Sequence, residues 1–163
     1  DLVKMGATDI SLLCNTATQH AQAIREALKP HGVNFVSIVD AAGQQAQRLA
    51  SVLLMATPST TFELGLYDSL PNIVKPSLND QRLITQTIHT VLQAKTVSST
   101  SIRNLAEMAV SYNTTGILFG CTDLAVVEDR FVEQLEAFGA GGIQVLESTR
   151  ALRAQVIDKV AVK

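Results

Sequence analysis

The sequence predicts an α/β fold in which parallel strands are packed between helices on both faces. Short apolar, β-branched stretches alternate along the chain with longer stretches whose apolar residues recur every three or four positions. Nearly half of the 163 residues are apolar, while aromatic residues are scarce and tryptophan is absent. Ala, Val, Leu and Ile must therefore fill the core, which is typical of buried parallel sheets.

The strand predictions come from short apolar runs that are bounded by turn residues. The clearest runs are 34–39, which reads NFVSIV, and 51–56, which reads SVLLMA. Strands are predicted in chain order over 9–13, 34–39, 51–56, 72–74, 116–119 and 143–146.

The helix predictions come from apolar spacing. In the first helix Ala17, Ala21, Ile24 and Leu28 fall at steps of four, three and four, and so form one face. After the third strand, Ser59 or Thr60 is a candidate cap for a helix through residue 70. The first helix is predicted over 16–29, and the others over 41–49, 79–93, 100–113, 124–137 and 149–162.

Charge and hydropathy exclude several classes of partner. The net charge of −2 gives no basic excess for binding nucleic acid or an anionic membrane. No apolar run is long enough to span a bilayer, and no signal peptide opens the sequence. We therefore expect a cytoplasmic protein that binds a small molecule.

Both cysteines of the chain lie where a predicted strand passes into a predicted helix. Cys14 is followed by Asn15 and Thr16, and Cys121 is followed by Thr122. Ligands of open α/β sheets bind at the carboxyl ends of the strands, so these two junctions are the best candidates for chemistry. A thiol at the start of a helix tends toward the thiolate, and the free N–H groups there can hold a carboxylate.

Less specific interpretations of the two cysteines stay open at this point. A free cysteine is most often a buried, inert thiol, and the number of cysteines also permits one disulfide. Two matched junctions in a chain with no other cysteine favour a catalytic pair.

These motifs resemble those of the aspartate/glutamate racemase superfamily. The stretch 14–17 reads CNTA, as in the first cysteine motif of that family, and 120–123 reads GCTD, close to its second. Between them, Thr57 and Thr60 match the family's T-x-x-T loop, and Tyr67 stands where the family often has a tyrosine. The resemblance covers most of the chain.

The resemblance implies racemisation of an amino acid, with aspartate or glutamate as the expected substrate, without a metal or another cofactor. One cysteine removes the α-proton from one face of the substrate, and the other returns a proton on the opposite face. The implied catalytic residues are Cys14 and Cys121. The implied substrate-binding residues are Asn15, Thr16, Thr57, Thr60 and Thr122, although the threonines also suit ordinary turn or cap roles.

The resemblance also implies two α/β lobes, each of which contributes one cysteine. Residues 1–40 and 148–163 would form an incomplete first lobe, and 41–147 a second lobe. Family members usually carry several strands and helices before the first cysteine motif, whereas only 13 residues precede Cys14 here. We therefore expect an N-terminally truncated racemase, with a homodimer as a possible assembly.

Two alternatives remain open on sequence grounds. A related enzyme, such as a hydantoin racemase, a maleate isomerase or a malonate decarboxylase, would share the fold, although retention of both cysteines favours a racemase. The second alternative is a catalytically inactive, truncated binding protein. It is favoured by the short segment before Cys14 and by Asp123 and Glu147, which replace the family's usual Glu and Asp.

Overall fold

A computed structural model describes residues 1–161 of the chain, and the surroundings of side chains as far as residue 158. The predicted α/β class is confirmed, because parallel sheets are flanked by helices. The strands are β1 (Asp9–Ser11), β2 (Asn34–Val36), β3 (Val52–Met55), β4 (Ile73–Val74), β5 (Gly116–Phe119) and β6 (Gln144–Glu147).

In the described part of the chain, six α-helices connect and cover these strands. They are α1 (Ala21–Leu28), α2 (Ile38–Ala46), α3 (Leu78–Leu92), α4 (Ser99–Ser111), α5 (Glu128–Ala137) and α6 (Ser148–Ala161). The predicted end of the last helix, at residue 162, lies outside the described residues. Within residues 1–161, none of these helices has both the length and the apolar character that crossing a bilayer requires.

The larger sheet has the strand order β4-β3-β5-β6, and the smaller sheet pairs β1 with β2. All pairs are parallel. In the larger sheet Met55, Phe119 and Glu147 lie in one row, because Met55 pairs with Phe119 and Phe119 pairs with Glu147. The three chain segments that follow these residues therefore leave the sheet side by side.

The two faces of the larger sheet carry separate apolar clusters. Alternate side chains of β3 and β5 pack in one cluster with residues of α3, α4 and α5. These are Leu53, Met55, Ile117 and Phe119. The intervening side chains pack in the other cluster with residues of α2 and α6. These are Val52, Leu54 and Leu118. Burial on both faces explains why β3 and β5 are continuous apolar runs without alternation.

Two predicted elements away from the cysteine junctions differ clearly from the structure. The strand predicted over 34–39 ends at Val36, because the side chain of Ser37 accepts a hydrogen bond from the N–H of Asp40 and starts α2 three residues early. The helix predicted through residue 70 is only one wide turn, Ser59–Glu63, followed by irregular turns. A side-chain hydrogen bond causes the first difference, and the spacing of apolar residues gives little indication of such a bond.

Two isoleucines provide a test of the buried sheet. Ile117 on β5 is fully buried, whereas Ile157 on α6 is 52% exposed. We expect Ile117→Val to lower the free energy of unfolding by about 1 kcal/mol, because a methylene is lost from a packed core. The same change at Ile157 should cost less than about 0.5 kcal/mol. Urea unfolding measures both, and equal losses would contradict the assigned position of β5.

Candidate active site

Both cysteine junctions meet at the carboxyl edge of the larger sheet. Cys121 follows β5 directly after Gly120, and the loop that carries Thr57 follows β3 beside it. Cys14 comes from the smaller sheet, three residues after the end of β1. The segment after Cys14 reaches the larger sheet through side-chain bonds from Asn15 and Thr16.

Cys121 is a buried thiol that is held in its protonated form. Its side chain packs in the cluster formed with α3, α4 and α5, and the residue is 7% exposed. The thiol donates a hydrogen bond to Oδ2 of Asp123 over 3.3 Å. The pKa of Cys121 is raised to about 12, chiefly by burial, with smaller contributions from the carboxylate of Asp123 and from Cys14 and an opposing hydrogen bond from the Asp123 backbone N–H.

Cys14, in contrast, is exposed. Its backbone carbonyl accepts a hydrogen bond from the hydroxyl of Thr18 over 3.2 Å, which ties the junction into one turn. The two junctions are linked by Tyr67, whose hydroxyl donates to Asn15, next to Cys14, and whose ring lies near Gly120, next to Cys121. Both thiols are free, so the disulfide that the cysteine count permitted is absent.

Three of the predicted substrate-binding threonines form one hydroxyl cluster. The hydroxyl of Thr16 lies 3.0 Å from that of Thr60 and 3.4 Å from that of Thr57, and Thr57 donates to Thr60 over 3.2 Å. Thr60 is buried, while Thr16 and Thr57 are half-buried. The cluster joins the first cysteine junction to the loop after β3, and its hydroxyls can rotate to donate to a bound anion.

Asn15 is buried, and both the oxygen and the nitrogen of its side-chain amide are hydrogen-bonded. It accepts a hydrogen bond from the hydroxyl of Tyr67 over 2.6 Å and donates to Oγ of Ser148 over 3.0 Å. Asn15 is 3% exposed, and Ser148 and Tyr67 are likewise buried. The structure therefore gives Asn15 a structural partner on each side, and the sequence did not predict Ser148 as one of them.

Short 3₁₀ turns follow both cysteines where α-helices were expected. The turns span Thr16–His20 and Thr122–Val127, and α1 and α5 begin only after them. Thr122 is half-buried at the start of the second turn. The expectation that Cys121 tends toward the thiolate is wrong, because burial outweighs a helix start that is only a 3₁₀ turn.

The carboxylate of Glu147 is committed to capping α6. It accepts hydrogen bonds from the backbone N–H groups of Thr149 and Arg150, both over 2.7 Å. Such a cap satisfies N–H groups that have no partner within the helix. Glu147 therefore fixes the start of α6, and with it the position of Ser148.

Comparison with known proteins rests on structures alone, because no family model and no curated protein matches the sequence. A Yersinia pestis protein provisionally assigned as an Asp/Glu racemase superposes with a TM-score of 0.73 at 23% identity, over 99% of this chain and 70% of that one. An aspartate racemase homologue from Pyrococcus horikoshii gives 0.69 at 18% identity, over 98% of this chain and 70% of that one. The chain has the fold of the aspartate/glutamate racemases.

The racemase fold is shared by an enzyme of different chemistry. A doubly substituted variant of arylmalonate decarboxylase superposes with a TM-score of 0.63 at 17% identity, over 96% of this chain and 68% of that one. The racemase fold accordingly fixes the arrangement of sheets and helices, whereas the reaction has to be argued from the cysteines and their surroundings.

The raised pKa of Cys121 predicts its reactivity. In a Cys14→Ser background, we expect alkylation of Cys121 by iodoacetamide to be slow at neutral pH and to rise about tenfold per pH unit toward a pKa of about 12. Asp123→Asn should speed labelling at a given pH, because it removes a negative charge and lowers the pKa of the thiol. Mass spectrometry of the labelled peptide measures the rate.

Asp129→Asn is the matched control, because Asp129 is an exposed carboxylate at the start of α5 that does not contribute to the pKa of Cys121. A labelling rate of Cys121 that levels off near pH 9 would contradict a buried thiol that is bonded to a carboxylate. An equal effect of the two Asp→Asn changes on that rate would contradict it as well.

Proposed function

We propose that the chain carries out cofactor-independent racemisation of an amino acid, aspartate or glutamate, with Cys14 and Cys121 as its two proton-transfer groups. One observation carries the proposal: two free thiols from separate sheets lie at junctions that meet at the carboxyl edge of the larger sheet, where the hydroxyl of Thr16 lies 3.0 Å from that of Thr60. The racemase fold supports it, because the structural neighbours include proteins named for this reaction.

The different environments of the two thiols support different roles in the proton transfer. Cys121 is the proton donor of the resting chain, because burial and Asp123 keep it protonated. Cys14, exposed and on the other sheet, takes the α-proton as its thiolate. The α-carbon becomes planar and carbanionic, and Cys121 then delivers its proton to the opposite face. Cys14 ends as the thiol and Cys121 as the thiolate, and proton exchange with water, which protonates Cys121 and deprotonates Cys14, restores the starting state once the product has left.

The hydroxyl cluster supplies a place for the α-carboxylate of the substrate. The hydroxyls of Thr16, Thr57 and Thr60 already lie within 3.0–3.4 Å of one another, so several donors converge on one small volume. Thr122 adds a fourth hydroxyl beside Cys121. Donors fixed before the reaction stabilise the negative charge that spreads into the carboxylate as the α-proton leaves.

The two cysteines separate a racemase from a decarboxylase, but they do not separate one kind of racemase from another. A hydantoin racemase would use the same two thiols on a cyclic substrate, so 5-substituted hydantoins belong in the assay. A decarboxylase needs only one proton donor at the α-carbon, and the retention of both thiols in this chain favours a two-base reaction.

The proposal is tested by α-proton exchange in deuterated water, followed by NMR. The purified chain is incubated with each enantiomer of aspartate, glutamate, several neutral amino acids and a hydantoin, and inversion is followed by chiral chromatography. We expect Cys14→Ser and Cys121→Ser each to lower inversion by about 10²–10⁴-fold, the usual contribution of a positioned acid or base.

Circular dichroism and thermal unfolding establish that both variants are folded. Inversion that survives either substitution would contradict the assignment of two catalytic thiols. Exchange that is absent with every substrate would instead favour the inactive binding protein, for which calorimetric titration with the same acids provides the direct measurement.

A further inference from the structure

Tyr67 lies between the two cysteine junctions and contacts both. The residue is 1% exposed and packs among the side chains of α2 and α6. Its hydroxyl donates to Oδ1 of Asn15 over 2.6 Å, and Asn15 directly follows Cys14. Its ring lies against Gly120, which directly precedes Cys121.

Gly120 is closely packed. A Cβ atom at this position would lie 3.4 Å from Cε2 of Tyr67, 3.2 Å from Cβ of Ala56 and 2.9 Å from Cδ1 of Leu54. The last distance is shorter than real Cβ contacts, so a side chain here would displace the end of Leu54. The ring of Tyr67 is one of the close neighbours of the backbone before Cys121.

The contact at Asn15 is equally restrictive. The Asn15 amide accepts from Tyr67 on one side and donates to Ser148 on the other, and all three residues are buried. A shift of the backbone beside Cys14 would therefore break a hydrogen bond in a place from which water is excluded.

We propose that Tyr67 is a positioning residue that sets the spacing between Cys14 and Cys121. The tyrosine side chain is rigid, with only two rotatable bonds up to its ring, and its outer end serves both junctions: the hydroxyl donates to Asn15, and the neighbouring ring carbon Cε2 lies toward Gly120. The catalytic value of this spacing rests on the proposed function, because a two-base reaction requires two thiols at one substrate carbon.

The protonation of Tyr67 suits this role. Burial raises the pKa of the phenol well above its usual value, and the charges of Asp40 and Glu147 raise it further. The hydroxyl therefore remains a donor to Asn15 throughout the neutral and mildly alkaline range.

The test exploits the presence of only two cysteines in the chain. A bis-alkylating bimane reagent, which becomes fluorescent once both of its arms have reacted, reports on the Cys14–Cys121 pair in dilute protein. The crosslinking rate is divided by the single-alkylation rate of each thiol, so that changes in reactivity cancel. Racemisation kinetics are measured on untreated protein from the same preparations. The matched control for Tyr67→Phe is Tyr112→Phe, which removes a hydroxyl bonded to Asp80 and Ser77.

We expect Tyr67→Phe to remain folded, to lower the normalised crosslinking rate several-fold and to lower kcat about tenfold or more with little change in KM. Tyr112→Phe should match the original chain in both measurements. A folded Tyr67→Phe variant that crosslinks and turns over like the original chain would overturn the proposal.

Two further comparisons test the positioning role if Tyr67→Phe does not fold or if the original chain is inactive. Should Tyr67→Phe fail to fold, Ser148→Ala removes the other partner of Asn15 and must lower crosslinking in the same way; unchanged crosslinking there overturns the proposal. If no substrate is racemised by the original chain but Tyr67→Phe still lowers crosslinking, the positioning role stands and the proposed function fails.

Discussion

The pairing of β3 with β5 is the constraint on which the candidate site depends. Their register sets Met55 opposite Phe119, so Thr57 and Cys121 emerge at the same edge and at the same height. The N–H of Gly120 extends the pairing by one more bond, to the carbonyl of Met55 over 3.0 Å. Because side chains alternate between the faces of a strand, a slip of one residue would exchange Gly120 and Cys121 between the two apolar clusters.

That register also explains why the two thiols differ. Cys121 continues the alternation of Ile117 and Phe119 and is drawn into the apolar cluster on their face, where burial keeps it protonated. Cys14 lies beyond the end of a short strand in the two-stranded sheet and remains exposed. The two cysteines therefore have similar sequence motifs but different exposure. The motif determines that each cysteine lies between a strand and a helical turn, whereas the packing of the neighbouring helices determines how deeply it is buried.

The sequence predicted those features that local patterns encode. The strands β3 and β5 are continuous apolar runs, and both cysteine junctions follow from where such runs end. The start of α2 at Ile38 was missed because Ser37 decides it through a single side-chain bond. The partnership of Asn15 with Ser148 joins residues 133 positions apart, and no periodicity signals a hydrogen bond over that separation. The burial that raises the pKa of Cys121 is likewise a product of packing.

The choice of an amide at position 15 follows from its two partners. Asparagine can accept from Tyr67 and donate to Ser148 at once, while remaining neutral. An aspartate in its place would bury a negative charge near Glu147 and beside Cys14, which is costly without a cation. That charge would also oppose the thiolate and the carbanionic transition state that a racemase must stabilise. A neutral amide can therefore connect the two sheets at the one place where an added negative charge would most hinder the proposed chemistry.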